Sequence, residues 1–109
     1  MCGIAGFFEQ RRTTPAAVLD RMLQVIVHRG PDDQGAFADD CAAIGMRRLS
    51  IIDLAGGHQP MTNEAGTLQI VYNGEIFNHA AVRPELEALG HRYVSHCDTE
   101  TIVHAFEQW

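Results

Sequence analysis

Apolar residues along this 109-residue chain fall in runs and stripes, separated by clusters of Gly, Pro, Asn and Asp. At 3–8, GIAGFF is a short run of small, β-branched and aromatic residues, which reads as a buried strand. Thr14 and Pro15 offer a helix N-cap and first helical position. Val18, Leu19, Met22, Val25 and Ile26 follow at helical spacing, and Gly30-Pro31 stops the run, so an amphipathic helix is predicted over 14–28. HRGPDDQG (28–35) reads as a turn-rich loop, 41–46 and 49–54 as strands, AGGHQPMTNEAG (55–66) as loop and 68–72 as a further strand. Asn73-Gly74 predicts a tight hairpin with EIF beyond it. Asn78 is placed to cap a helix running to Gly90 that Pro84 either kinks or forces to start late. Asp98 is placed to cap a last helix with Ile102, Val103 and Phe106 on one face.

Composition narrows the class. Hydrophobic residues at 46% and charged residues at 20% are the proportions of one folded domain, not of a disordered chain or a coiled coil. A formal net charge of −6 and basic doublets only at Arg11-Arg12 and Arg47-Arg48 give a phosphate backbone little to hold, which excludes nucleic acid as the expected partner. No apolar run nears the roughly 20 residues a membrane span needs, and the start lacks a secretory n- and h-region, so cytoplasmic, membrane-free protein is expected. Three cysteines, Cys2, Cys41 and Cys97, are an odd, sparse set that suits a reducing compartment. His91, His96 and Cys97 fall in no zinc-finger spacing and there is no CxxC or HExxH, so no metal ligand set is expected.

Three features bear on chemistry. Cys2 is either a small apolar strand residue or a nucleophile. Thiolate is the attacking form of cysteine and an unperturbed thiol, pKa about 8.5, is mostly protonated at neutral pH, so catalysis needs a base. Removal of Met1 would supply one: the freed α-amino group, with a reference pKa of about 7.7–8.0, stands beside its own thiol. Asn73-Gly74 is either a plain turn or a pair of oxyanion donors, one from the amide side chain and one from a main-chain N–H that a ligand can approach closely. Arg48 is either half of a surface doublet or a fork for a carboxylate; strand alternation sends Arg47 and Arg48 to opposite faces, so only one can enter a site. Glu75 or Asp98 could receive an ammonium group, the rival role for Asp98 being the helix cap.

Taken together, MCGIAGFF at the start, HRGPDDQG at 28–35, RLSIIDLAGGHQPM at 48–61, VYNGEIFNH at 71–79 and DTE from Asp98 closely resemble the amino-terminal glutaminase domain of glutamine-hydrolysing asparagine synthetases, members of the class II glutamine amidotransferases. The likeness spans essentially the whole chain. It implies an α+β N-terminal-nucleophile hydrolase fold, an αββα sandwich of antiparallel sheets, here truncated. It also implies that Cys2 attacks the side-chain amide of L-glutamine, releases ammonia and leaves a glutamyl thioester for water to cleave. Asn73 and the Gly74 N–H would form the oxyanion hole. Arg48 would hold the substrate carboxylate beside main-chain groups of Leu49, Ser50, Ile51 and Ile52, and Glu75 and Asp98 would bind the α-amino group.

The resemblance implies no cofactor for the glutaminase reaction itself. ATP and magnesium belong to a partner synthetase domain, in cis or trans, which is absent from these residues and which would amidate aspartate to asparagine. Relatives that amidate other acids carry nearly the same glutaminase domain, so the ammonia acceptor stays open, as does a homodimer. Family domains are longer, and the stretch ends at Trp109 without a C-cap signal. A partial domain over 1–109 is therefore expected, with a catalytically incomplete glutamine-binding fragment or regulatory module as the rival reading; a redox or metal protein built on Cys41 and Cys97 is the third.

Overall fold

The computed structural model describes residues 2–49 and 56–109. Strand β1 (Gly3–Phe8) is followed by helix α1 (Ala17–Val25), a 3-10 turn (Val27–Arg29), β2 (Asp33–Ala38) and β3 (Ala42–Arg48). The three strands form one antiparallel sheet in the order β1-β3-β2, with Gly3 opposite Arg47, Phe8 opposite Ala42 and Asp33 opposite Arg48. Alternation along β1 turns Ala5 and Phe7 toward α1, where they pack with Ile26 against Leu19, Leu23 and Ala43. The other face of β1 presents Ile4 and Phe8, 50% and 76% exposed.

Helix α1 differs in detail from its prediction. Thr14 does not cap it: its hydroxyl donates to Glu9 Oε1 at 2.9 Å and its N–H to Glu9 Oε2 at 3.1 Å, so the Glu9 carboxylate organises residues 13 and 14 as a turn and the helix begins at Ala17. Cys2, Cys41 and Cys97 are all free, where the odd count required only one to be. Leu23, absent from the predicted stripe, is fully buried, whereas Val25 lies on the solvent side, 75% exposed. Strand β2 fell where turn residues were expected. DQGAFA has no β-branched residue, and pairing with β3 rather than local propensity makes it a strand. Gly35 in β2 is required by its surroundings, since a Cβ there would stand 1.6 Å from the Gln59 carbonyl oxygen.

The rest of the described chain forms a second unit. Strands β4 (Met61–Thr62) and β5 (Gln69–Ile70) pair as a short antiparallel ribbon, against which α3 (Thr99–Gln108) packs, with α2 (His79–Ala88) on α3. Met61, Leu86 and Val103 are buried there. Buried Asn63 shapes the β4–β5 turn: its Oδ1 accepts the Thr67 and Leu68 N–H groups at 2.9 and 3.0 Å, and Gly66 takes the left-handed φ of 69° that the turn needs. The predicted strand over 68–72 thus shrinks to two residues. Asn73-Gly74 closes no hairpin, because residues 75–77 pair with no strand.

Pro84 sits inside α2 without ending it, and neither Asn78 nor Asp98 gives its helix a side-chain cap bond. The face of α3 that is buried is largely polar, Thr99, Glu100, Thr101 and His104 beside Val103, while Phe106 is exposed. Helix α2 closes with the two bonds of a Schellman motif, His91 N–H to Leu86 O and Gly90 N–H to Glu87 O, both at 3.1 Å, around Gly90 at φ 101°. Of the predicted 49–54 strand, Leu49 lies just past β3 and the remainder is outside the described residues. Buried Gln59 sits where the two units meet: its main chain lies against Gly35 of β2, while within the second unit its Oε1 accepts the Tyr72 N–H at 2.6 Å and its Nε2 donates to Tyr72 O at 3.2 Å and Thr99 Oγ1 at 3.4 Å. Among the described residues no helix is long and apolar enough to cross a membrane.

Candidate functional site

Where the end of β3 meets the loop before α2 and the start of α3, an open cavity of about 720 Å³ is lined by Arg48, Leu49, Gly57, Gly74, Glu75, Asp98 and their neighbours. Five of the residues singled out in the sequence therefore line one cavity. Cys2, at the head of β1, joins them through Leu49: the Leu49 N–H donates to Cys2 Sγ at 3.4 Å. The β1–β3 register explains the meeting, since pairing Gly3 with Arg47 brings the residue before β1 beside the end of β3. Two more groups fix Cys2 by its carbonyl oxygen, Asn73 Nδ2 at 3.0 Å and Arg29 Nη2 at 3.3 Å. An amide nitrogen carries two hydrogens, so Asn73 can hold Cys2 with one and offer the other to a ligand.

The arginine doublet divides as alternation requires. Arg47 is buried on the α1 side, its Nε donating to Gly30 O at 3.0 Å and its Nη1 to Gln34 Oε1 at 2.7 Å, while Arg48 enters the cavity. Gly57 makes room for the Arg48 guanidinium, for a Cβ at residue 57 would stand 2.0 Å from Nη2. Close to this corner Asp33 pairs with His58 at 2.8 Å. Burial pushes the Asp33 carboxyl up, but the His58 hydrogen bond, the Gln34 N–H and the charges of His58 and Arg48 together hold it below its ordinary value. The carboxylate is therefore ionised at neutral pH and adds to the field around Arg48.

Across the cavity, Asp98 does not cap α3; its Oδ2 accepts the Ile76 N–H at 2.6 Å, fixing the loop that carries Gly74 and Glu75. Gly74 is glycine because the Tyr72 ring lies against it, with a Cβ there falling 2.5 Å from Tyr72 Oη. Ile76, Phe77, His79, His96 and Cys97 complete the lining. The predicted positions Ser50, Ile51 and Ile52 lie outside the described residues. Gln59, Asp33 and His58 were not singled out as site residues, because each owes its place to contacts far apart in sequence; the motifs HRGPDDQG, which holds Asp33, and RLSIIDLAGGHQPM, which holds His58 and Gln59, marked the region without naming them. Arg48, Glu75 and Asp98 bring a guanidinium and two carboxylates to the lining of one open cleft, a set suited to an amino acid bound by both charged ends, while Cys2 and Asn73 are not among the lining residues and adjoin it through Leu49 and Gly74.

A family model described as Glutamine amidotransferase domain matches residues 1–109. Among curated relatives, asparagine synthetase (glutamine-hydrolyzing) 1 of Bacillus subtilis (strain 168) is 41% identical over 113 residues, covering 100% of this chain and 18% of that protein. Asparagine synthetase (glutamine-hydrolyzing) 3 of the same organism is 37% identical, with the same coverage. Asparagine synthetase (glutamine-hydrolyzing) 1 of Arabidopsis thaliana is 34% identical, covering 100% of this chain and 19% of its own length. The chain thus spans about a fifth of the relatives it matches.

Proposed function

Because the chain belongs to the glutamine amidotransferase domain family, we propose that it hydrolyses the side-chain amide of glutamine and supplies the ammonia to an amide-forming synthetase, with aspartate the acceptor. The single observation that carries this reading is the hydrogen bond from the Leu49 N–H to Cys2 Sγ, which joins the amino-terminal cysteine to the wall holding Arg48. In the proposed mechanism Met1 is removed and the Cys2 amine takes the proton of its own thiol. The sulfur forms a bond to the amide carbon of glutamine, and the carbonyl electrons move to oxygen, where Asn73 Nδ2 and the Gly74 N–H stabilise the charge. The amine returns the proton to the departing nitrogen as the C–N bond breaks, giving ammonia and a glutamyl thioester. Water, relieved of a proton by the same amine, then cleaves the thioester to glutamate and restores the thiol.

Arg48 pairs with the α-carboxylate of the substrate, with the Leu49 main chain beside it, and Glu75 and Asp98 with its ammonium. No cofactor enters these steps; ATP and magnesium serve the synthetase domain that such relatives' length accommodates. The fold is assigned to the αββα N-terminal-nucleophile class, supported by the β1-β3-β2 antiparallel sheet with α1 on one face and Ile4 and Phe8 bare on the other, where a second sheet would lie. The same bare face supports the rival reading, a glutamine-binding fragment that turns over only when covered.

Intact mass and turnover decide between them. Protein lacking Met1 that releases glutamate, is labelled at Cys2 by an electrophilic glutamine analogue and loses both properties in Cys2→Ser fits the enzyme. Calorimetric glutamine binding without glutamate release in the Met1-free protein fits the rival. No binding and no labelling refute both.

A further inference from the structure

On the far side of the second unit, three segments bring four donor side chains together: Glu64 from the β4–β5 turn, His91 just after α2, and His104 and Glu107 three residues apart on α3. One ligand atom from each lies within 4.8 Å of every other. The sequence concealed this set, because its ligands are 13 to 43 positions apart except for the last pair and follow no familiar spacing.

The hydrogen bonds around the two imidazoles set which nitrogen faces the cluster. His91 Nε2 lies 2.9 Å from Gln108 Oε1 and His104 Nε2 3.3 Å from Glu100 Oε1. Both partners are oxygens that can only accept, so each Nε2 carries the hydrogen and, in the neutral ring, each Nδ1 offers a lone pair. Orientation of a ligating imidazole by a carboxylate or amide oxygen on its other nitrogen is the usual support of a metal ligand. His104 is 1% exposed at its side chain, and its Nδ1 makes no hydrogen bond. It faces Glu64 Oε1 at 3.4 Å; His91 Nδ1 stands 3.4 Å from the same oxygen and 3.8 Å from Glu107 Oε2.

Two imidazole lone pairs aimed at two carboxylates repel unless a positive charge sits among them. The 3.4 Å from Glu64 Oε1, which also accepts the Arg92 N–H at 2.6 Å, to each Nδ1 matches the about 3.3–3.4 Å between neighbouring ligands of a tetrahedral zinc with bonds of about 2.0–2.1 Å, and the wider separations, up to 4.8 Å, are ones a bound ion would draw in. Neutral His and ionised Glu also form the N/O donor set that suits this ion, and a cleft of about 510 Å³ lined by Glu64, His91 and Glu107 opens the site to solvent. We propose that Glu64, His91, His104 and Glu107 bind one Zn²⁺ ion, which clamps α3 to the β4–β5 turn and to the segment after α2, apart from the cavity at Cys2 and independent of the reaction assigned there.

The test is titration of chelator-stripped full chain with ZnSO₄ by calorimetry, together with thermal unfolding and replacement by Co²⁺. The expected result is saturable binding of one ion and an unfolding midpoint that climbs with free Zn²⁺. Co²⁺ should show the visible absorption of a tetrahedral N/O site, without the sulfur charge-transfer band that Cys2, Cys41 or Cys97 would contribute. Glu107→Gln, at the solvent side of α3, and His91→Gln, whose ring packs beside His104, should each weaken Zn²⁺ binding by at least about tenfold while glutamine-analogue labelling of Cys2 stays as it was. Absence of saturable Zn²⁺ binding, binding unmoved by both substitutions, or a thiolate band in the Co²⁺ spectrum each overturns the proposal. So do imidazole NMR signals showing both rings protonated at pH 7 and unaffected by Zn²⁺.

Discussion

The Asp98 carboxylate accepts the Ile76 N–H at 2.6 Å, so a residue at the head of α3 fixes the loop bearing Asn73, Gly74 and Glu75. Two duties then fall on one side chain, positioning that loop and carrying negative charge into the cavity. Asp98→Asn keeps an acceptor for Ile76 and loses only the charge. Its unfolding midpoint should stay close to the parent's while KM for glutamine rises about tenfold or more. Asp98→Ala removes both and should also lose about 1.5–3 kcal/mol of stability in urea unfolding. Equal KM values for parent and Asp98→Asn would remove the charge from the binding role.

Gly57 and Arg48 offer a cleaner separation of binding from folding. The obstacle a Cβ meets at residue 57 is the far end of a flexible side chain, so Gly57→Ala displaces the guanidinium at little structural cost. KM should rise about tenfold, the loss of one charge-assisted carboxylate contact, with kcat and the thermal midpoint near those of the parent. A lowered midpoint with unchanged KM would mean that Arg48 does not hold substrate.

Core packing under the first sheet rests on Leu23. Leu23→Ala should cost about 2–5 kcal/mol in urea unfolding, because its side chain is fully enclosed and reaches into the space left by Gly45. Val25→Ala, two residues along on the solvent side, should change stability by less than about 0.5 kcal/mol.

Acid should loosen the segment before α3 through Glu100. Burial raises this carboxyl, but the Ser95 hydroxyl, the Val94 N–H, His104 and the Ser95 N–H outweigh it and hold the group below its ordinary value of 4.5. With a depressed folded value, the unfolded chain binds the proton first, so the contribution is full above pH 4.5 and is lost as pH falls through the folded value. Urea midpoints measured from neutral pH downward should fall across that window, and Glu100→Gln should flatten the fall while lowering the neutral-pH stability by roughly 1–3 kcal/mol. An identical acid limb in parent and variant would assign the pH dependence to other carboxylates.

Local chemistry made some of this legible and long-range contact the rest. GIAGFF declared β1 by its own composition, and the Arg47-Arg48 doublet divided across β3 as the strand period requires. The cavity's Arg48, Leu49, Gly74, Glu75 and Asp98 were found because a contiguous pattern carried them. Asp39, whose Oδ1 accepts the Cys41 and Ala42 N–H groups at 2.8 and 2.7 Å, starts β3 by a side-chain turn that only the coordinates reveal. β2 was missed since DQGAFA becomes a strand by pairing, and Thr14 was misread as a cap because a carboxylate from five residues earlier captures it. Helix α3 was given an apolar inner face, whereas Glu100 and His104 are buried there, Glu100 held by the Val94 and Ser95 N–H groups that the helical period cannot disclose.

Gln59 meets both the N–H and the C=O of Tyr72, so one carboxamide stands in for a neighbouring strand and sets where the next residue, Asn73, is delivered. A chemical lesion of a single atom is then enough to undo it. Deamidation of Gln59 to glutamate would keep the acceptor for Tyr72 N–H but turn the donor facing Tyr72 O into a second acceptor, and ageing of one side chain would release the Asn73 loop while every strand stayed paired.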